Sequence, residues 1–265
     1  MPNPVLIVGA GPTGMTAALE LSRLGVPLRL IEKVPAPPPT AAPPPERSRA
    51  IGVHARTLEL LEMRGLSDPL LRSGHPTAGA SVYSGRRRLF HLDFSQIDSR
   101  YHYLLFISQV ETERILREAI EGLGVSIERG VELVGFAQDA RAVDPIQALL
   151  RHPDGALEQA AAPWLIDAEG AHSTVRTTLD LPFAGRTMDA GYALGDVHVD
   201  GDLGEDDFRL FSTAHGFMGL FPLGHRRFRI IAGVPPSRAS SGAPALADLQ
   251  AIYDERSPVR RASAT

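Results

Sequence analysis

The chain opens on an unbroken apolar run over residues 4–8, PVLIV, of the kind found in strands buried on both faces of a parallel sheet. The spacing then turns helical, with Met15, Ala18, Leu19 and Leu21 on one side and Gly25 closing the pattern. Residues 26–32, VPLRLIE, return to strand character. The first 32 residues therefore predict one β–α–β unit whose third member does not follow directly. Instead, seven prolines fall between Pro35 and Pro45. They predict an extended surface loop, because proline fixes φ and removes a donor. Helical spacing resumes over 54–66 and stops at Gly65.

From residue 76 to about 107 the pattern is strand-like and irregular, with a basic turn (SGRRR) and the aromatics Tyr83, Phe90, Phe94, Tyr101 and Tyr103. Residues 111–124 predict an amphipathic helix, and 125–130 and 131–139 predict strands. Residues 146–168 predict a hairpin turning at Asp154-Gly155 and running into a further strand. Beyond 182 the chain is β-rich, with strands over 192–200, 207–213, 216–224 and 227–234, and a helix begins over 245–255. Residues 256–265 are weakly patterned, and there is no internal repeat.

Composition narrows the function classes. At 265 residues the chain holds one large core or two modest domains, and 43% apolar with 22% charged residues is ordinary for a folded protein. A net charge of −4 points away from nucleic acid and from anionic membrane surfaces. No cysteine is present, which removes disulfides, thiolate metal sites and cysteine nucleophiles and fits a cytoplasmic protein. The apolar N-terminus is broken by glycines and lacks a basic leader, so it does not read as a signal peptide. No run reaches the roughly 20 apolar residues of a membrane span. The nine histidines form no H-x-x-x-H pair on a helix, so no metal site is expected.

The first chemical signal is Gly9, Gly11 and Gly14 in G-x-G-x-x-G register, after a strand and opening a helix, with Pro12 and Thr13 inside the turn. Gly9 permits a tight turn, and Gly11 lets backbone N–H groups approach a pyrophosphate. Gly14 permits close helix–strand packing, and the helix N-terminus adds positive potential. Glu32, followed by Lys33, ends the second strand, where a carboxylate can accept from a ribose diol. These residues predict a site for an ADP moiety and leave FAD and NAD open. The acid disfavours a 2′-phosphate and hence NADP. The plain alternative is a glycine turn with an ordinary surface glutamate.

A second strand–turn–helix device follows at 163–176, PWLIDAEGAHSTVR, with Glu169-Gly170 in the turn. On structural grounds alone, the alternative for Glu169 is a helix-start acid favoured by the dipole. Together, SRAIGVHARTLELLEMRGL, ISQVETERILREAI and LIDAEGAHSTVRTTLDLPFAG, in this order and over nearly the whole chain, resemble the class A flavoprotein monooxygenases. The branch of phenol hydroxylase and the aromatic polyketide hydroxylases is nearest.

That resemblance implies an α/β fold: a Rossmann-like FAD-binding fold of the glutathione-reductase type with an inserted mixed β-sheet substrate domain. The FAD-binding domain would comprise 1–75 and 108–182, and the substrate domain 76–107 and 183–240. Residues 241–265 would begin a C-terminal helix. The implied reaction is NADH- or NADPH-driven hydroxylation of a small aromatic or polyketide-type molecule through a flavin C4a-hydroperoxide. The flavin carries the chemistry, so no catalytic side chain is assigned.

Gln109 corresponds to a flavin-touching residue and Arg49 to the arginine beside the FAD phosphates, with Arg56 a weaker candidate. Glu169-Gly170 stands where the family has Asp-Gly, near the flavin pyrophosphate and linked to NAD(P)H use, and Ala171, His172, Ser173 and Arg176 follow in pattern. Glutamate reaches about 1.5 Å further than aspartate. Phe217, Met218 and Pro222 are candidate substrate-lining residues; the alternative is ordinary strand alternation over an apolar inner face.

The family's third landmark, a Gly-Asp motif opening a small-residue helix after the substrate sheet, is not found up to Thr265. Gly195-Asp196 and Gly201-Asp202 alternate as strand and turn instead. Two readings follow: a truncated monooxygenase, and a non-catalytic FAD- or dinucleotide-binding remnant or interaction module. Surfaces that the missing segment would cover predict self-association into a homo-oligomer. A plain pyridine-nucleotide dehydrogenase is disfavoured, because no further βα repeat follows Glu32.

Overall fold

The computed structural model describes residues 3–36, 51–139, 141–185, 191–200, 203–235, 244–257 and the strand 263–264. Most of the expected Pro-rich loop, from Pro37 onward, and Arg49 and Gly201-Asp202 lie outside the described residues. In chain order the first elements are β1 (Val5–Val8), α1 (Pro12–Arg23), β2 (Leu28–Glu32), β3 (Gly52–Val53), α2 (Ala55–Glu62), α3 (Ser67–Ser73), β4 (His75–Thr77), β5 (Gly79–Ser84), β6 (Arg87–Asp93), β7 (Leu104–Phe106) and α4 (Gln109–Gly122). Then come β8 (Ile127–Arg129), β9 (Glu132–Gln138), β10 (Ile146–Arg151), β11 (Leu157–Ala162), β12 (Leu165–Asp167), α5 (Thr174–Thr178), β13 (Gly191–Asp200), β14 (Asp207–Thr213), β15 (Gly216–Gly224), β16 (Arg227–Val234), α6 (Leu246–Arg256) and β17 (Ser263–Ala264). They form two compact units, residues 1–43 with 112–185 and residues 44–111 with 186–265.

The first unit is built on a parallel sheet in the order β12-β1-β2-β8. The third member of the opening β–α–β unit is thus β8, which pairs with β2 in parallel (Leu30 opposite Ile127) although the chain reaches it only after the whole of 33–126. The two helices that lead into β2 and β8 end alike. Gly25 and Gly124 have φ of +71° and +82°, and the N–H groups of Val26 and Val125 each reach back 3.0 Å, to Leu21 O and Ile120 O. These are Schellman caps, which need a residue free to adopt positive φ. The shared Leu-Gly-Val at 24–26 and 123–125 is their sequence mark. Every residue of β1 is buried, as its unbroken apolar run requires.

A second, antiparallel sheet, β11-β10-β9, shares a core with the first in which Leu6, Val8 and Ile31 meet Val131, Leu133 and Leu150. Arg29 of β2 forks onto Glu128 of β8 (2.6 and 2.8 Å) and Glu158 of β11 (2.5 and 2.8 Å), joining the two sheets by charge-assisted bonds.

The second unit carries a seven-stranded sheet, β17-β13-β16-β15-β14-β5-β6, antiparallel except for the β14–β5 pair. Helix α6 covers one face, where Leu249, Ile252 and Tyr253 pack with Met218, Leu220, Phe228 and Ile230. Alternation sends Phe208 and Phe221 to the other face, stacked at 5.6 Å, with Phe106 of β7 edge-on to both at 5.5 Å. Arg256, buried at the end of α6, donates to Phe217 O (2.7 Å) and Gly233 O (2.8 Å) and ties the helix to two strand backbones.

Residues 51–75 group with this second unit rather than with the first, because β3 and β4 both pair with β7. The helix expected over 54–66 ends at Glu62. A separate helix, α3, follows and carries Pro69 in its first turn, where a missing N–H costs nothing. Among the described residues, no helix is long and apolar enough to cross a membrane.

Candidate functional site

Register brings three strand ends to one level. Val8 lies opposite Ile31 of β2 and opposite Asp167 of β12, so Gly9, Glu32 and Ala168 leave the sheet side by side at its carboxyl edge. This is where open parallel sheets bind ligands. Two backbone bonds lock the arrangement, Gly9 N to Ile31 O (2.9 Å) and Ala168 N to Val8 O (2.8 Å).

The three motif glycines do different work. Gly9 has φ of +100°, and a Cβ on it would overlap the Ala168 carbonyl. A Cβ on Gly14 would collide with the Gly9 carbonyl oxygen, so helix α1 is held against the turn. A Cβ on Gly11, in contrast, would meet nothing within 4 Å. Internal packing therefore explains Gly9 and Gly14, and Gly11 faces open space. Pro12 fills the first helical position, Thr13 is exposed beside it, and the first turn of α1 carries no acid to offset its positive end.

Glu32 is fixed by its neighbours: Oε2 accepts from Ala10 N–H and Oε1 from Val34 N–H, each at 2.9 Å. Each oxygen retains a further lone pair for an incoming hydroxyl. A cavity of about 170 Å³ opens here, its polar rim formed by Glu32, Lys33 and Glu169 and its apolar wall by Val131 and Leu133. Room at Gly11, a helix N-terminus and a pre-set carboxylate fit the ADP half of a dinucleotide.

The second strand–turn–helix device adjoins the first through β12. Its turn is wired internally. Asp167 accepts from Glu169 N–H (3.0 Å) and Ser173 Oγ (2.5 Å), and Ser173 Oγ accepts from Arg176 N–H (2.9 Å). Gly170 takes φ of +80°. Glu169 Oε2 turns back onto α5, accepting from Thr174 N–H (2.9 Å) and Val175 N–H (3.3 Å), which is the helix-start geometry. Arg176 closes the loop by donating to Ala171 O (2.7 Å) and lies 4.8 Å over the Phe183 ring. Asp167 escaped the sequence reading; its signal is an acid two residues before the Glu-Gly turn, an Asx-turn spacing.

The remaining candidates lie elsewhere. Gln109 opens α4, is half-buried, and groups with the second unit rather than lining this cavity. Arg49 falls outside the described residues. Arg56 is exposed on α2 and pairs with Glu59 at 3.1 Å. Phe217 is 41% exposed, whereas Met218 is wholly buried in the α6-covered core. The two are strand neighbours on opposite faces, so they do not line one surface. Pro222 is buried.

A Ser-His-Asp grouping that the sequence pattern does not reveal occurs on β5, β6 and β14. Ser81 Oγ donates to Asp207 (2.9 Å) and lies 3.1 Å from His91 Nδ1, with His91 Nδ1 3.2 Å from Asp207. Serine and carboxylate meet the same imidazole nitrogen, and Ser81 is buried, so the ring cannot relay a proton between them as a hydrolase requires. Among the described residues, no group of three or more His, Asp or Glu side chains could hold a metal ion.

Converging strand ends, a glycine turn and a helix N-terminus on one cavity define a dinucleotide-binding α/β unit, here combined with a second, sheet-based unit. The chain belongs to the FAD binding domain family, whose model matches residues 3–254. It is 41% identical over 220 residues to 6-methylpretetramide 4-monooxygenase of Streptomyces rimosus, covering 82% of this chain and 37% of that protein. The crystal structure of p-nitrophenol 4-monooxygenase PnpA from Pseudomonas putida DLL-E4 superposes with a TM-score of 0.78 at 22% identity, over 96% of this chain and 62% of that one. OxyS anhydrotetracycline hydroxylase from Streptomyces rimosus matches with a TM-score of 0.68 at 28% identity, over 100% of this chain and 51% of that one. The chain thus spans well under half the length of the curated relative.

Proposed function

We propose that these residues form the FAD-binding and substrate-sheet portion of a monooxygenase that hydroxylates a small aromatic, polyketide-type ring with NADH or NADPH as reductant. The observation that carries the FAD reading is Gly11, whose absent side chain no internal contact explains. Backbone N–H groups at Gly11, Thr13 and Gly14 and the positive end of α1 would hold the pyrophosphate. Glu32 would accept from the adenosine ribose, and Lys33 would add a cation at the rim. Arg49 and Gln109 are assigned to the phosphates and the flavin by family resemblance. The Glu169-Gly170 turn would flank the pyrophosphate, with Asp167 and Arg176 setting its shape.

The bound flavin supplies electron transfer and oxygen activation. The protein's own contribution is to hold the cofactor, orient the ring and exclude water. The relatives named for 6-methylpretetramide and anhydrotetracycline, and the aromatic face bearing Phe208 and Phe221, support a planar aromatic substrate. We assign the ADP half of the cofactor to the first unit and substrate contact to the second, with Phe217 rather than Met218 facing the ring. The absence of cysteine supports a cytoplasmic setting. We also propose self-association, which light scattering across a dilution series tests; a monomer at every concentration overturns it.

The experiment for the main reading is titration of the purified chain with FAD, followed by quenching of flavin fluorescence and by the visible spectrum. Saturable binding that Gly11→Val abolishes, while the variant still unfolds cooperatively, is the expected result. A folded chain that ignores FAD overturns the proposal.

A further inference from the structure

Of the 27 basic side chains in this chain, 26 are arginine and one, Lys33, is lysine. That single lysine is exposed and lies on the cavity at the carboxyl edge of the parallel sheet. The other ionisable side chains lining the cavity are the carboxylates Glu32 and Glu169. Lys33 is therefore the one cation among the described lining residues, and the one side-chain amine of the whole chain. Guanidinium groups keep their charge and do not accept acyl groups, whereas a lysine amine does. A phosphate-bearing acyl donor would also find the cavity's other asset, the positive end of α1 beside Gly11.

From these observations we infer that Lys33 is an acylation site for small acyl phosphates and that its modification controls dinucleotide loading. The inference rests on the dinucleotide reading of this cavity. In the step, the neutral ε-amine attacks the acyl carbonyl carbon and the bond between that carbon and the phosphate oxygen breaks. Phosphate leaves with the electron pair, and the surplus amine proton passes to solvent. The product is an amide with no charge, and nothing is oxidised or reduced. Glu32 and Glu169 would then line the cavity with no side-chain cation left among its described lining residues. At a solvent-open rim this lowers dinucleotide affinity by about three- to tenfold.

The test uses acetyl phosphate on the purified chain, with and without saturating FAD or ADP, read by intact mass and peptide mapping. Acetylation of the Lys33 amine, slowed about tenfold by FAD and by ADP, is expected from burial of the amine under ligand. Lys33→Gln should bind FAD about three- to tenfold more weakly, and Lys33→Arg should recover most of that loss while remaining unlabelled at position 33. Acetylation at an undiminished rate on the FAD-saturated chain, or acetylation confined to the N-terminal amine, overturns the inference and leaves the FAD reading standing. Failure of FAD and ADP to bind the unmodified chain removes the dinucleotide reading, and this inference with it.

Discussion

The glycines of the first turn illustrate how one residue type serves two ends within six positions. Gly14→Ala would drive a methyl group into the Gly9 carbonyl, and we expect a loss of about 2–3 kcal/mol in urea unfolding. Gly11→Ala has open space and an extended backbone (φ −72°), so stability should fall by less than about 1 kcal/mol. FAD affinity should nevertheless drop at least about tenfold, because the methyl occupies room meant for the ligand. Equal stability losses in the two variants would contradict this division. Glu169 is a residue-scale case of a different kind. Its carboxylate is spent on the first N–H groups of α5, so Glu169→Ala should cost about 1 kcal/mol, as a lost N-cap does.

At the scale of elements, the two sheets of the first unit are coupled by a titratable joint. Hydrogen bonds from Arg29 hold Glu158 at about 2, below its ordinary 4.5, with His152 adding to the effect against partial burial. Its bonds to Glu128, and then to Glu158, push the Arg29 guanidinium upward, away from any accessible pH. A depressed carboxylate contributes stability that is present above pH 4.5 and lost as pH falls towards 2. Because the Glu158 side chain is 34% exposed, we expect only about 1 kcal/mol from it. Chemical unfolding between those limits should show that loss, and Glu158→Gln should remove that share of the slope, leaving the smaller part from the likewise lowered Glu59 and Asp93. In the second unit, the β15–β16 hairpin turns through His225 and Arg226, both with positive φ (54° and 60°). That is the type I′ geometry asparagine tolerates best, so His225→Asn should raise stability by about 0.5 kcal/mol in thermal unfolding.

For the whole molecule, the division into two units makes ligand linkage a spatial test. FAD at one hundred times its dissociation constant would stabilise what it binds by about 2.7 kcal/mol. Hydrogen exchange should slow in β1, α1, β2 and the 167–176 turn, and much less in the strands of the seven-stranded sheet. Uniform protection of both units would count against an ADP site held by the first. The exposed edge of that large sheet is β6, whose residues are all solvent-facing, with a bulge against β5 and Arg87 and Arg88 on the strand. Bulges and charges of this kind discourage edge pairing, so self-association is expected through another surface.

Much of this could be read from local pattern. The apolar run of β1, the glycine register, the hairpin at Asp154-Gly155 and the alternating strands after 190 matched their structural counterparts, because period and turn chemistry are set by neighbours in the chain. The helix stop at Gly25 was equally visible, since positive φ restricts residue choice locally. What lay beyond the sequence was every feature that depends on a distant partner. The third parallel strand arrives after the whole of 33–126, and residues 51–75 are claimed by strand pairing with β7. Alternation marked an apolar face at Phe217–Pro222 but could not say that α6 covers Met218 while leaving Phe217 outside. The open space before Gly11, the anchoring of Glu32 and the role of Asp167 likewise exist only once three strand ends meet. Sequence period reports which side of an element is apolar; only the packed fold decides what that side touches and where a space is left.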